Sequence, residues 1–351
     1  MSAIVDGAYV GFNLITRLYL LLAAYTISSY ITKYVKSWNY IKYLMDCIAW
    51  SALICSAIVV LARFHLIPHS EIFYRDAYMA RLKGTFHDPN VMGPYVAAGL
   101  IISVYTFYQT RSLFYIFASA LMAIAVLLSG SRGAMIVVVV ELAVFFALLC
   151  TGRGLSKNPL RDILIVIGMI GIMGGASWAL FEFGGFKAQL AARMEAQQYD
   201  TDRFASQAYV FNKGISTPLG HGAGGAVGAY NGLSPHNVYI KVLYEGGWLG
   251  FAAFVGIFIA ALWRSIAAWA DQRNSPQIRL LGAAIAGTLM GHYLTSYVVD
   301  STHWRHLFVL VGIAAGLPLE STKQPSFSLP WGRKKSGFAA RSAQPTSETV
   351  A

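Results

Sequence analysis

The sequence predicts an all-α protein: a polytopic transmembrane bundle of about nine spans, with an extracytoplasmic segment of short helices and loops. Two observations carry this. Of 351 residues, 56% are hydrophobic and 12% charged, roughly half the charged fraction of an ordinary soluble domain. The apolar residues also run together instead of alternating. VMGPYVAAGLIISVYTFY (91–108) and GAMIVVVVELAVFFALLC (133–150) are each long enough to cross a ~30 Å hydrocarbon core as a helix. A membrane β-barrel would need ~10-residue dyad repeats, and none is visible.

The expected spans are 9–31, 43–62, 91–109, 112–130, 133–151, 162–182, 247–269, 279–299 and 303–319. Their connections fall into two sets. The short basic set holds Lys33, Lys36 and Lys42, then Arg111, then Arg153, Lys157 and Arg161, then Arg264, Arg273 and Arg279. With the basic tail after residue 320, these alternate strictly along the chain, which assigns them and the C-terminus to the cytoplasm. The other set, 63–90, the turn at Ser131, 183–246 and the turn near Ser301, then lies outside. It still carries Arg75, Arg81, Lys83, Arg132, Arg193, Arg203 and Lys213. Positive charge on the disfavoured side asks for an anionic partner there.

Three regions follow: N-terminal spans over 1–79, a membrane domain over 80–319 with its outer loop at 183–246, and a disordered cytoplasmic tail over 320–351. The same parity puts the N-terminus outside. Either spans are missing upstream or the first span, which carries Arg17, is miscounted. The first apolar run has no basic leader and no small-residue cleavage site, so no cleavable signal peptide is expected. The net charge of +11 does not argue for nucleic acid, because many of the basic residues sit in short loops between spans. Cys47, Cys55 and Cys150 fall within spans and read as small packing residues, not a disulfide framework.

The outer segment is where chemistry concentrates. Ser234-Pro235 before His236-Asn237 reads as a helix start, Ser as N-cap and Pro at the first position, with His236 and Asn237 on the first turn. Gly246, Gly247 and Gly250 let that helix bend or pack closely. A histidine at a membrane–water boundary suits general-base work; the plainer reading is an anchor for the helix end. Asp88-Pro89-Asn90 reads as another helix start through Asx chemistry. Gly220-x-Gly222-x-x-Gly225 with Glu245 imitates a dinucleotide fingerprint but lacks the βαβ setting. His65/His69 and His303/His306 have helical metal spacing without a clear third ligand. Glu141 and His292 within spans are costly enough to be functional candidates, with interhelical hydrogen bonding the plainer use. Gly171-xxx-Gly175 and Gly287-xxx-Gly291 are expected helix-packing surfaces.

Four stretches together resemble the O-antigen ligase and polymerase superfamily, over roughly 80–315. His236-Asn237, nine residues, Gly247, two residues and Gly250 resemble its signature. GTFHDPNVMGPY (84–95), the Ser-Arg-Gly turn of LLSGSRGAM (127–135), and Arg203 followed by PLGHGAGG (218–225) are similar to its other segments, in the same order.

The resemblance implies a glycosyltransferase of the bacterial inner membrane, needing no metal or other cofactor and working at the outer face. The donor it implies is an undecaprenyl-diphosphate-linked glycan. The acceptor is lipid A core for a ligase, or another lipid-linked repeat for an O-antigen or exopolysaccharide polymerase. Membrane lipids and other polysaccharide assembly proteins are the further partners expected. Carried over by position, Arg132 and Arg203 hold the diphosphate and His236 activates the acceptor hydroxyl, with Asp88, Asn237 and Lys213 as secondary site residues. Guanidinium forks match phosphate oxygens and stay charged. The rival readings are a transporter or flippase of the same lipid-linked glycan, and a non-catalytic partner in an assembly complex.

Overall fold

Backbone groups in hydrocarbon must bond within their own segment, and helix accounts for 77% of the described residues. A computed structural model describes residues 2–33, 37–75, 81–152, 155, 158–183 and 198–317. The helices in chain order are α1 (Ser2–Lys33), α2 (Ser37–Arg63), α3 (Pro89–Thr110), α4 (Phe114–Leu128) and α5 (Arg132–Thr151). They continue with α6 (Pro159–Phe183), α7 (Gln198–Ser216), α8 (Val238–Ala270), α9 (Pro276–Thr295) and α10 (Arg305–Gly316). Among the described residues there is no strand, only isolated bridges at Tyr74–Leu82 and Tyr230–Leu233. Lys36, Arg153, Lys157, Arg193 and the tail 320–351 lie outside the described residues.

Every expected span falls on a helix, so the chain is a multi-pass helical membrane protein. Length and composition refine the expectation. Among the described residues, five helices are long and apolar enough to cross a bilayer: Leu14–Lys33, Trp38–Arg63, Pro89–Thr110, Arg132–Thr151 and Val238–Ala270. α4 and α10 have 15 and 12 residues, about 22 and 18 Å of helix against a ~30 Å core. They are short apolar helices, not full spans by length.

α3 is the axis of the bundle. Its apolar window is 89% buried inside the protein, against 22% for α1 and α8, so those two turn most of their surface outward. Small residues permit the close approaches. A Cβ at Gly99 would sit 2.3 Å from the Ala52 Cβ, and one at Gly291 would sit 2.5 Å from the Glu141 Cγ. Gly287 likewise faces the Glu141 carbonyl, so Gly287-xxx-Gly291 is the α9 surface against α5. Gly171 and Gly175 meet no described neighbour within 4 Å. The cysteines also divide: Cys55 is buried against Gly84, while Cys47 and Cys150 are exposed.

Antiparallel succession sorts the charges. At one end, Trp269 Nε1 donates to the Leu148 carbonyl and Arg279 Nε to the Trp269 carbonyl. Arg111, stacked over Phe107 and Tyr108, and Arg161, paired with Asp162, belong to this end too. The opposite end gathers Arg75, Arg81, Arg132, Arg203 and the loop before α8. Described members of the two basic sets therefore lie at opposite ends of one bundle. The histidine spacings, however, are not helical. His65 and His69 lie beyond the end of α2 with φ of 52° and 53°, and His303 precedes α10.

Candidate active site

The site is assembled around the start of α8. Asn237, not Ser234, caps this helix: its side-chain oxygen accepts from the Tyr239 and Ile240 N–H groups at 3.0 and 3.2 Å. The expected Ser234 cap with Pro235 inside the helix is thus displaced by three residues. The reason is tertiary. The Val238 N–H, a donor without a partner inside the helix, goes to the Ser296 carbonyl at the end of α9 at 2.9 Å. That bond fixes the helix start at Asn237 and leaves His236 just outside it, with φ 49°.

Nine residues later α8 breaks. Gly247 has φ 63° and ψ −165°, a conformation close to glycine-only. The break releases carbonyls and an N–H that a continuous helix would pair internally. The 217–225 loop takes them up. The Trp248 N–H donates to the Pro218 carbonyl, while the His221 and Gly222 N–H groups donate to the Tyr244 and Glu245 carbonyls. A Cβ at Gly247 would stand 2.0 Å from the Pro218 oxygen, and one at Gly220 2.5 Å from the Glu245 oxygen. The two glycine motifs are therefore halves of one interlock. Its third member is Glu245, whose carboxylate is sealed inside, paired with Arg17 at 2.5 Å and accepting from the Ala226 N–H. That contact also gives Arg17, the charge in the first span, its use.

Charged side chains converge on His236. Arg203, on the second turn of α7, donates to the His236 carbonyl at 3.4 Å. Lys241, on the first turn of α8, is buried and paired with Asp300 at 2.5 Å. Burial pulls the His236 imidazole below its ordinary 6.5, and the Arg203 charge adds to this; Asp300 and Asp88 pull the other way, and Lys241 again lowers it. A neutral imidazole is the form that accepts a proton. Burial alone would raise the Asp300 carboxyl, but the Lys241 ammonium and the hydrogen bonds from Lys241 and Thr302 hold it down at about 2.

The other expected site residues distribute as follows. Arg132 opens α5 just after its N-cap Ser131. Its neighbour Gly133 faces Val298 and Thr295, beside the Ser296 carbonyl that holds Val238, so Arg132 shares this end with His236. Asp88 caps α3, accepting from the Asn90 N–H at 2.7 Å, and pairs with Arg75 at 2.9 Å. Lys213 is exposed on the last turn of α7, about 15 Å along the helix from Arg203.

Sequence reading passed over Lys241 and Asp300, whose pairing across 59 positions leaves no local signal. It gave Arg81 no role beyond its charge. That guanidinium is buried, reaching the Ser129 carbonyl at 3.2 Å and Asn90 Oδ1 at 2.9 Å, and so ties the α3 start to the α4–α5 turn. Among the described residues, no three His, Cys, Asp or Glu side chains come together in a metal-ligating group.

Two of the four resembling motifs, Arg203 with its Gly-rich loop and the His236-to-Gly250 stretch, thus meet in one place, through the glycine interlock and the guanidinium contact. Residues 117–255 match the family model for O-antigen ligase. The match bears out the superfamily resemblance and encloses the Ser-Arg-Gly turn, Arg203, the Gly-rich loop and the His236-to-Gly250 stretch. No curated protein matches the chain. The O-antigen ligase family is one of ligase- and polymerase-type membrane glycosyltransferases, and the matched segment holds His236, Arg132 and Arg203.

Proposed function

We propose that this protein transfers a glycan from an undecaprenyl-diphosphate carrier to a saccharide acceptor, at the outer face of the bacterial inner membrane. The observation that carries the reading is the placement of Arg203 against the His236 peptide, within the segment matched by the ligase family. An acceptor hydroxyl gives its proton to neutral His236 as its oxygen forms a bond to the anomeric carbon. The bond from that carbon to the phosphate oxygen breaks, and undecaprenyl diphosphate leaves with the electron pair. Arg132 and Arg203 stabilise the charge on the leaving diphosphate, a task fixed cations perform best at a partly dry site. The proton on His236 then returns to solvent. Attack opposite the leaving group inverts the anomeric centre. The step calls on no metal or cofactor.

Asp88 and Asn237 serve this site by fixing the starts of α3 and α8. The acceptor decides between ligase and polymerase: lipid A core for the first, another lipid-linked repeat for the second. The test is glycan assembly in a deletion strain complemented with wild type, His236→Ala or Arg203→Ala at matched membrane levels. Failure of both variants with accumulation of lipid-linked repeats is the expected result, and product size and attachment then tell polymerase from ligase. Normal assembly by both variants would overturn the reading in favour of a transporter or an assembly partner. Labelling of single cysteines introduced at Ser234 and in the tail checks sidedness: the first is expected to react from outside and the second only from the cytoplasm.

A further inference from the structure

α7 has three faces where a helix packed on a soluble domain has two. Ser206, Val210 and Gly214 are buried, Gly214 within 3.2 Å of the Tyr244 backbone of α8 for an added Cβ. A second sector carries Tyr209, Asn212, Lys213 and Ser216, all exposed. The third carries Phe204, Ala208, Phe211 and Ile215, whose 4-3-4 spacing sets them in one stripe along the helix. These also face outward, with Phe204 66%, Phe211 45% and Ile215 40% exposed. At about 100° per residue, each sector takes close to a third of the circumference.

The stripe does not end with the helix. Leu219, 92% exposed, follows it, and the adjoining Pro218 carbonyl accepts from the N–H of Trp248. Trp248 and Leu249, 49% and 83% exposed, belong to α8, one of the helices long and apolar enough to span. The exposed apolar surface of α7 is therefore continuous with surface that a span turns to lipid. In water such a patch would be a liability; beside a span it has a solvent of its own.

We propose that α7 is an interfacial helix, its Phe204–Ala208–Phe211–Ile215 stripe seated in the headgroup–acyl boundary of the bilayer at the His236 end of the bundle. Tyr209, Asn212, Lys213 and Ser216 then face water, the third sector faces α8, and Arg203, one residue before the stripe begins, is held at the depth of lipid phosphates. Amphipathic helices of this kind sink their apolar face about 5–10 Å into the boundary. The partner is the lipid surface itself, so the inference stands whether or not the transfer reaction proposed above is correct.

The test uses the full chain in lipid nanodiscs, with Cys47, Cys55 and Cys150 replaced by alanine and one nitroxide-labelled cysteine at a time along 204–216. Collisional relaxation by oxygen, which partitions into lipid, is compared with that by a water-soluble nickel chelate. The oxygen-to-nickel ratio is expected to be several-fold higher at 204, 208, 211 and 215 than at 209, 212, 213 and 216, repeating with the helix period. Equal or greater nickel access on the stripe would overturn the proposal, since the stripe would then face water. Shielding from both reagents would overturn it too, since another protein surface would cover the stripe. Because the labelled positions are exposed, the buried contacts with α8 are left intact, and a period-matched pattern itself reports a folded α7.

Discussion

Two histidine settings in this molecule differ in how they are held. His292 lies in α9 with no solvent exposure, its Nδ1 2.8 Å from the Thr288 carbonyl and 3.0 Å from Glu141 Oε1 on α5. A carbonyl only accepts, so Nδ1 carries the hydrogen. Its Nε2 meets His306 Nε2 of α10 at 3.0 Å, and the Trp304 ring stacks on His306. Side chains from three helices thus close on one another, although the second carboxylate oxygen of Glu141 has no hydrogen-bond partner among the described residues. His236 is placed by its backbone instead: a left-handed φ, a cap at the next residue, and a guanidinium at its carbonyl. The first setting joins helices. The second holds an imidazole near Arg203 and Lys241, just outside the start of α8.

Removing each histidine setting should therefore cost different things. His236→Ala is expected to lower transfer by about 10²–10⁴-fold, the usual worth of a general base, with membrane level and melting temperature unchanged; a loss of melting temperature instead would move His236 into the architectural class. Gly247→Ala should come next. Its Cβ would drive the Pro218 loop off α8 and hold a strained φ, at a cost of about 1–3 kcal/mol, seen as a lower melting temperature in detergent and reduced transfer together. Glu141→Ala is expected to destabilise by about 1–2 kcal/mol, in line with interhelical hydrogen bonds in membranes, with Glu141→Gln recovering most of it. Full stability with abolished transfer in Glu141→Ala would erase the contrast drawn between the two regions.

The smallest effect concerns pH. The depressed His236 pKa places the acid limb of the transfer profile below 6.5, because activity is lost only as pH falls through the lowered value. Asp300→Asn removes a negative charge that opposes this shift, so the residual activity should show its acid limb at still lower pH. A limb moving upward would mean that Asp300 does not act on His236 through its charge.

What could be read locally was read well. Asp88 before Pro89 caps α3, and a glycine interrupts α8 where Gly246, Gly247 and Gly250 allow a bend. Capping and bending are decided within a turn of chain, so a few adjacent residues suffice. The Ser234 expectation failed where Ser234 and Asn237 compete as caps within four positions. A carbonyl on α9, 58 residues away, settled it in favour of Asn237.

The sequence by itself determined the membrane class, the succession of apolar helices and the separation of two basic sets, because burial in lipid imposes composition directly on each segment. It also singled out His236, Arg132 and Arg203 as candidates, through motifs that lie along the chain. Only the tertiary structure decided that Gly220 and Gly247 interlock, that Lys241 pairs with Asp300, that Arg81 bridges two helix ends, and that Glu141 belongs with His292. Each of these joins segments distant along the chain, through contacts a few ångströms across. Pattern along a single segment carries no record of which distant segment will lie beside it, because that choice is made by packing of the whole bundle.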